Sequence, residues 1–157
     1  MQDGKINLRA LLPGEIAEEL KAMGQPAYRA KQVFDWVSRG AESFDEMTNL
    51  PKQLRSALDG KYYLYAPKAE RKQVSDEDGT VKYLWGLRDG NAVETVVMRY
   101  HYGNSICIST QVGCRQGCAF CASTIGGLVR NLDAGEMLEE VMFSEKESGL
   151  KIGHIVL

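Results

Sequence analysis

Three of the chain's four cysteines fall within eight residues, Cys114, Cys118 and Cys121 of "GCRQGCAFCAS". The segments on either side limit how such a stretch can fold. Before it, "SICIST" (105–110) alternates polar and apolar residues as a strand does. After it, a helical pattern over 133–148 opens at Asp133, with Glu136 three residues on in capping-box position, and stops at Gly149. Met137, Leu138, Val141 and Met142 are expected to form the buried face of this helix. "KIGHIVL" follows as an apolar run of the fully buried strand type. Strand, cysteine loop, helix and strand make a βαβ unit, which implies a parallel sheet with further strands.

The spacing Cys114-x3-Cys118-x2-Cys121 supplies three soft donors. Thiolates in threes or fours suit zinc or an iron–sulfur cluster. Structural zinc sites usually use four ligands, and Cys107 is available as a fourth. Within "SICIST", however, Cys107 shares a strand face with Ser105 and Ser109, opposite Ile106 and Ile108, so a reach back to the loop is not implied. A set of three has its own meaning. Three cysteines hold three irons of a four-iron cubane and leave one iron open to a substrate or cofactor, as catalytic metals require.

Upstream, residues 1–60 read as a small bundle of three helices. Ile16, Leu20 and Met23 lie on one face of the first helix, which Gly24 ends. Ala30, Val33, Phe34 and Val37 lie on one face of the second, which restarts at Pro26 and ends at Gly40. Leu54 and Leu58 point inward on the third, which begins near Pro51 and ends at Gly60. Residues 61–103 are β-rich: "KYYLYA", "ERKQVS", "VKYLWGL" and "NAVETVVMRY" are separated by the Asp-Gly turns of "DEDGT" and "RDGN". The expected fold is mixed α/β, with a helical domain over 1–60, an antiparallel meander over 61–103, and the first βαβ portion of a parallel barrel over 104–157.

Composition excludes some functions. Nineteen basic and 21 acidic side chains give a net charge of −2, so no polybasic signal for nucleic acid is present and any basic surface must be built by folding. Arg29, Lys31, Arg39, Lys52 and Arg55 are the cations of the helical domain that can meet phosphate, although solvated helix faces explain them equally well. No segment approaches the roughly 18 apolar residues of a membrane span, and the N-terminus lacks a signal-type apolar core. The chain is therefore expected to be cytoplasmic, where clustered thiols are ligands or catalysts rather than disulfides. Glu94 shares a strand face with Ala92, Val96 and Met98. It is either solvated at an edge or desolvated and fit for proton transfer. His101 and His154 form no pattern.

Cys-x3-Cys-x2-Cys with Phe120 just before the last cysteine resembles the radical S-adenosylmethionine (SAM) superfamily. "CISTQVGCRQGCAFCASTIGGLVRNLDAGEM", "MGQPAYRAKQVFDWV" and "SFDEMTNLPKQLR" closely resemble the RNA adenine carbon-2 methyltransferases of the RlmN type, which act on 23S ribosomal RNA and transfer RNA. The likeness runs from about residue 8 to the end. It is greater than the likeness to a related resistance methyltransferase acting on carbon-8.

The resemblance implies a 4Fe-4S cluster on Cys114, Cys118 and Cys121, with SAM on the open iron and Phe120 near its adenine. It implies that one SAM methylates a cysteine near the C-terminus of the full protein, and that a radical derived from a second SAM activates that methyl group. The activated carbon adds to adenine, and the RNA is then bound covalently to the protein. Glu94 matches the proton acceptor for carbon-2. Cys107 matches the resolving cysteine, which would otherwise read as a buried structural thiol. Flavodoxin or ferredoxin is the implied electron donor, and the full-length protein is expected to be a monomer. A glycine–glutamate SAM segment and the methyl-carrying cysteine are not in the sequence, so the chain is expected to be an N-terminal part that does not complete a turnover. The competing readings are a zinc-stabilised binding module using Cys107, Cys114, Cys118 and Cys121, and a redox sensor using Cys107.

Overall fold

A computed structural model of the chain describes residues 4–157, which divide into two compact units, 4–66 and 67–157.

The first unit is helical. It comprises β1 (Ile6–Asn7), α1 (Pro13–Ala22), α2 (Tyr28–Ser38), α3 (Lys52–Lys61) and β2 (Tyr62–Tyr63). Pro13 opens α1, and the Glu15 carboxylate accepts the Leu12 N–H at 2.7 Å, satisfying one of the donors a helix start leaves free. Ile16, Leu20, Val33, Val37, Leu54 and Leu58 meet in one core with Met47 and Tyr62. Arg9 is buried beneath them and donates to the carbonyls of Ala41 and Tyr65, tying three distant stretches of chain together. Three expectations change in detail. α2 begins at Tyr28 rather than Pro26, Gly60 lies inside α3, and "KYYLYA" does not join the meander. Its Tyr62 and Tyr63 pair in parallel with Ile6 and Asn7, a contact no local pattern announces.

The second unit is a five-stranded sheet with one helix. β3 (Lys68–Val74), β4 (Val81–Gly86), β5 (Ala92–Tyr100) and β6 (Gly103–Cys107) form the antiparallel meander. The chain then passes through the hairpin strands β7 (Gln111–Gly113) and β8 (Leu128–Asn131) and helix α4 (Ala134–Ser148) to β9 (Ile152–Val156), which pairs in parallel with β6. The sheet order is β3-β4-β5-β6-β9, so meander and βαβ unit share one sheet. The Asp-Gly turns form where expected: Asp78 and Asp89 accept the N–H two residues on, from Thr80 and Asn91. β3 is exposed along its length and carries Lys68, Glu70, Arg71 and Lys72, charges that discourage pairing at that edge.

Two expectations in this unit are overturned. "KIGHIVL" is not a fully buried strand: β9 forms the other edge, and Ile155 and Val156 are half exposed. The capping box of α4 is present, with Glu136 N–H on Asp133 at 2.8 Å and Asp133 N–H on Glu136 at 3.0 Å. Its buried face, however, is Glu136, Glu139, Glu140, Phe143 and Ser144, not Met137, Leu138, Val141 and Met142. Glu136 and Glu140 turn inward because Arg130, Thr95 and Ser109 supply donors for them, as described below.

Candidate functional site

The pleat of the sheet separates two chemistries. On β5, Val93, Thr95 and Val97 are buried on the side covered by α4, whereas Glu94, Val96 and Met98 point to the other side. Cys107 lies directly across from Val96, and cross-strand partners share a face. Glu94 and Cys107 therefore stand on the same open face, away from the helix. Ser109 links the two sides: its hydroxyl donates to the Glu94 carbonyl at 2.8 Å, and its N–H donates to the Glu140 carboxylate at 3.0 Å.

The cysteine loop is the excursion between β7 and β8. Its base is closed by the Cys114 N–H on the Gly127 carbonyl at 3.2 Å. Gly113 has φ +72°, and a Cβ there would lie 1.9 Å from the Gly127 oxygen, so only glycine permits this approach. Within the loop, Cys121 N–H donates to the Cys118 carbonyl at 3.1 Å and the Thr124 hydroxyl to the Cys121 carbonyl at 2.9 Å. All four cysteines are free thiols; Cys118 is exposed and the others are half-buried. Phe120 and Ile125 project into solvent, 94% and 87% exposed.

An open cleft of about 570 Å³ lies where the loop meets the sheet, lined by Glu94, Ser109, Cys114 and Cys121 among others. The sequence-derived residues thus converge in part. Glu94 shares the cleft with two of the loop cysteines, while Cys107 occupies the same sheet face within the ladder between Val96 and Val156. Among the described residues, no three cysteine, histidine or acidic side chains are gathered closely enough to hold a metal ion. The donor set nevertheless fits an iron–sulfur cluster in its chemistry: three unpaired thiols sit on a loop anchored at both ends beside an open cleft. Glu94 is not desolvated. Its side chain is 57% exposed and pairs with Lys82 at 3.0 Å.

Sequence reasoning missed the groups that support the loop. Arg130 on β8 donates through Nε to Asp89 at 2.6 Å and through both terminal nitrogens to Glu136 at 2.7 Å. Burial acts to raise the Asp89 pKa, but Arg130 and the Asn91 N–H outweigh it and hold the carboxyl at about 2. Glu140 behaves oppositely. Burial raises its pKa to about 7 against the bonds from Thr95 Oγ1 and the Ser109 N–H. The spacing of Arg130 and Glu136, flanking the helix cap, is the only local signal for either group.

Comparison with known proteins agrees with this geometry. Residues 6–64 match the family described as the ribosomal RNA large subunit methyltransferase N-terminal domain. A solved radical SAM methyltransferase from Sphaerobacter thermophilus superposes with a TM-score of 0.83 at 41% identity, covering 97% of this chain and 46% of that one. The fold of this chain is thus that of part of a radical SAM methyltransferase. A probable dual-specificity RNA methyltransferase RlmN of Alkaliphilus oremlandii is 52% identical over 153 residues, 98% of this chain and 45% of that protein. Its counterpart in Lachnoclostridium phytofermentans is 49% identical over 154 residues, 98% of this chain and 43% of that protein. The chain is similar to RlmN proteins along nearly its whole length, and it spans a little under half the length of these curated relatives.

Proposed function

We propose that this chain supplies the cluster-binding part of an enzyme that methylates carbon-2 of adenine in 23S ribosomal RNA and transfer RNA, with SAM and a 4Fe-4S cluster as cofactors. The observation that carries the reading is the cleft shared by Glu94, Cys114 and Cys121, with Cys107 on the same sheet face. Cys114, Cys118 and Cys121 would hold the cluster, and Phe120, which projects from the loop, would lie against the adenine of SAM. When bound, the cluster supplies the electron that cleaves SAM.

The remaining roles belong to side chains on the open face. Glu94 accepts the proton from adenine carbon-2. Lys82, 3.0 Å away, pairs with its carboxylate on the open face. Cys107 acts as a thiol partner for a methyl-carrying cysteine in the rest of the protein. Its thiolate would attack the sulfur that joins protein to RNA: the S–S bond forms as the C–S bond breaks, the electron pair stays with the carbon, which takes up a proton to become the methyl group, and the methylated base leaves. The reading places the protein in the cytoplasm, where thiols stay reduced and flavodoxin or ferredoxin supplies electrons. It takes the full-length enzyme to be a monomer.

Cys107→Ala in the full-length protein tests the assignment. Without a resolving thiol the covalent RNA adduct accumulates and is seen as RNA-linked protein on a denaturing gel. Normal turnover by that variant would refute the role.

A further inference from the structure

Glu140 is the most unusual side chain in the second unit. It is 1% exposed, and one carboxylate oxygen accepts both the Thr95 hydroxyl at 2.5 Å and the Ser109 N–H at 3.0 Å. Its other oxygen, Oε1, is buried with no hydrogen-bond partner. A buried carboxylate with an orphaned oxygen is costly, and a single charge there is relieved by binding a proton. The groups around it are few. β5 presents Thr95, and the segment after β6 presents Ser109. On its own helix, the charge that reaches it is that of Glu136, itself held by Arg130; Glu139 is also buried on that helix.

What makes the position functional is where its bonds lead. Ser109 takes Glu140 on its N–H from the helix side, and its hydroxyl holds the Glu94 carbonyl on β5. Ser109 also lines the cleft with Glu94, Cys114 and Cys121. Thr95, the other donor, is the residue next to Glu94. Both hydrogen bonds of one buried carboxyl therefore end on groups that set the backbone of the proposed base and of the strand leading into the cysteine loop.

We propose that Glu140 is a positioning residue for the cleft, fixing through Thr95 and Ser109 where Glu94 and the Cys114 end of the loop stand. The inference rests on the functional reading above for the meaning of the cleft, but not for its test. The carboxyl binds a proton more readily in the closed arrangement, where burial raises its pKa to about 7, than when an opening solvates it near its ordinary 4.5. The sign follows from linkage. Raising the pH favours opening, and the grip on Ser109 is strongest below about 4.5 and fully weakened above about 7.

Amide hydrogen exchange at Ser109, read by fragmentation mass spectrometry between pH 6 and 8 and corrected for the intrinsic rate, tests this on the chain itself. The wild-type protection factor is expected to fall about tenfold over that range, the change for a carboxyl titrating near 7 when closed and near 4.5 when open. Glu140→Gln, which keeps an acceptor but has no proton to lose, is expected to hold Ser109 protected at a pH-independent level. Glu140→Ala is expected to lose protection at both ends. Alkylation of Cys114 by iodoacetamide, compared between variants at each pH, reports the cleft side. It is expected to quicken several-fold in Glu140→Ala and to return to the wild-type rate in Glu140→Gln. Thr95→Val, which removes one of the two donors, takes the place of the alanine variant if that does not fold.

A wild-type protection factor flat from pH 6 to 8 would overturn the proposal. So would a Gln variant that falls as the wild type does, or a Cys114 rate that stays constant while Ser109 is released. None of these readouts requires a cluster or RNA, so failure of the chain to bind a cluster would strike the functional reading and leave this one standing.

Discussion

Replacing Gly113 by alanine should open the cysteine loop without unfolding the sheet. The φ of +72° puts an L-residue in the left-handed region, at a cost of about 1–2 kcal/mol. The added Cβ would lie 1.9 Å from the Gly127 oxygen. Relief to an ordinary contact requires the two backbones to part by roughly 1.5 Å, which breaks the Cys114–Gly127 hydrogen bond, worth about 1 kcal/mol. Because the hairpin carries only three strand pairings, the cheapest response is local opening of β7 from β8. Gly117 is the control: it has φ +70° but open space where a Cβ would go, so Gly117→Ala incurs the backbone cost alone. Hydrogen exchange at Cys114 and Leu128 should accelerate at least about fivefold more in Gly113→Ala than in Gly117→Ala, as about 1 kcal/mol of excess cost requires. Midpoints for global unfolding should stay close. Equal effects of the two substitutions would refute the argument that close backbone approach closes the loop.

Two further outcomes follow from the ion pairs. Arg130→Gln leaves Glu136 buried without its bidentate partner and should cost about 3 kcal/mol in urea unfolding. In the wild type, the Asp89 pKa lies near 2 instead of 3.8, so its contribution, about 2 kcal/mol, is present above pH 3.8 and lost as pH falls toward 2; the variant should flatten that acid limb. Glu94→Gln, by contrast, removes only an exposed pair with Lys82, so stability should change by less than about 1 kcal/mol, while methyl transfer by the full-length enzyme should fall by at least about a hundredfold. Loss of folding in that variant would place Glu94 in the structure rather than the chemistry.

The helices of the first unit were legible because Ile16, Leu20, Val33, Val37, Leu54 and Leu58 repeat at helical spacing and all reach one core. The limits of α4 were legible too, since Asp133, Glu136 and Gly149 act within a turn of themselves. Its orientation was not. Periodicity favours turning Met137, Leu138, Val141 and Met142 inward, but the helix instead buries Glu136 against Arg130 and Glu140 against Thr95 and Ser109. Arg130 lies only six residues before Glu136, but Thr95 and Ser109 meet Glu140 only in the folded sheet, so no window of sequence contains the whole reason.

The same limit applies to the site. Cys114, Cys118 and Cys121 announce themselves by residue type and spacing. That Glu94 faces the cleft from β5, and that Ser109 joins it to Glu140, depends on strand register. The strand runs of β7 and β8 are three and four residues long, too short to show an alternation.

The central claim, that the loop cysteines hold a four-iron cluster, is tested most directly by anaerobic reconstitution of the chain with iron and sulfide. Iron, sulfide and zinc are then counted and the visible spectrum recorded for the wild type and four single Cys→Ala variants. Four irons per chain and a broad brown absorbance are expected in the wild type and in Cys107→Ala. Both should be lost in Cys114→Ala, Cys118→Ala and Cys121→Ala. A colourless protein holding one zinc, released by Cys107→Ala as readily as by the others, would contradict the account and make this a four-thiol binding module.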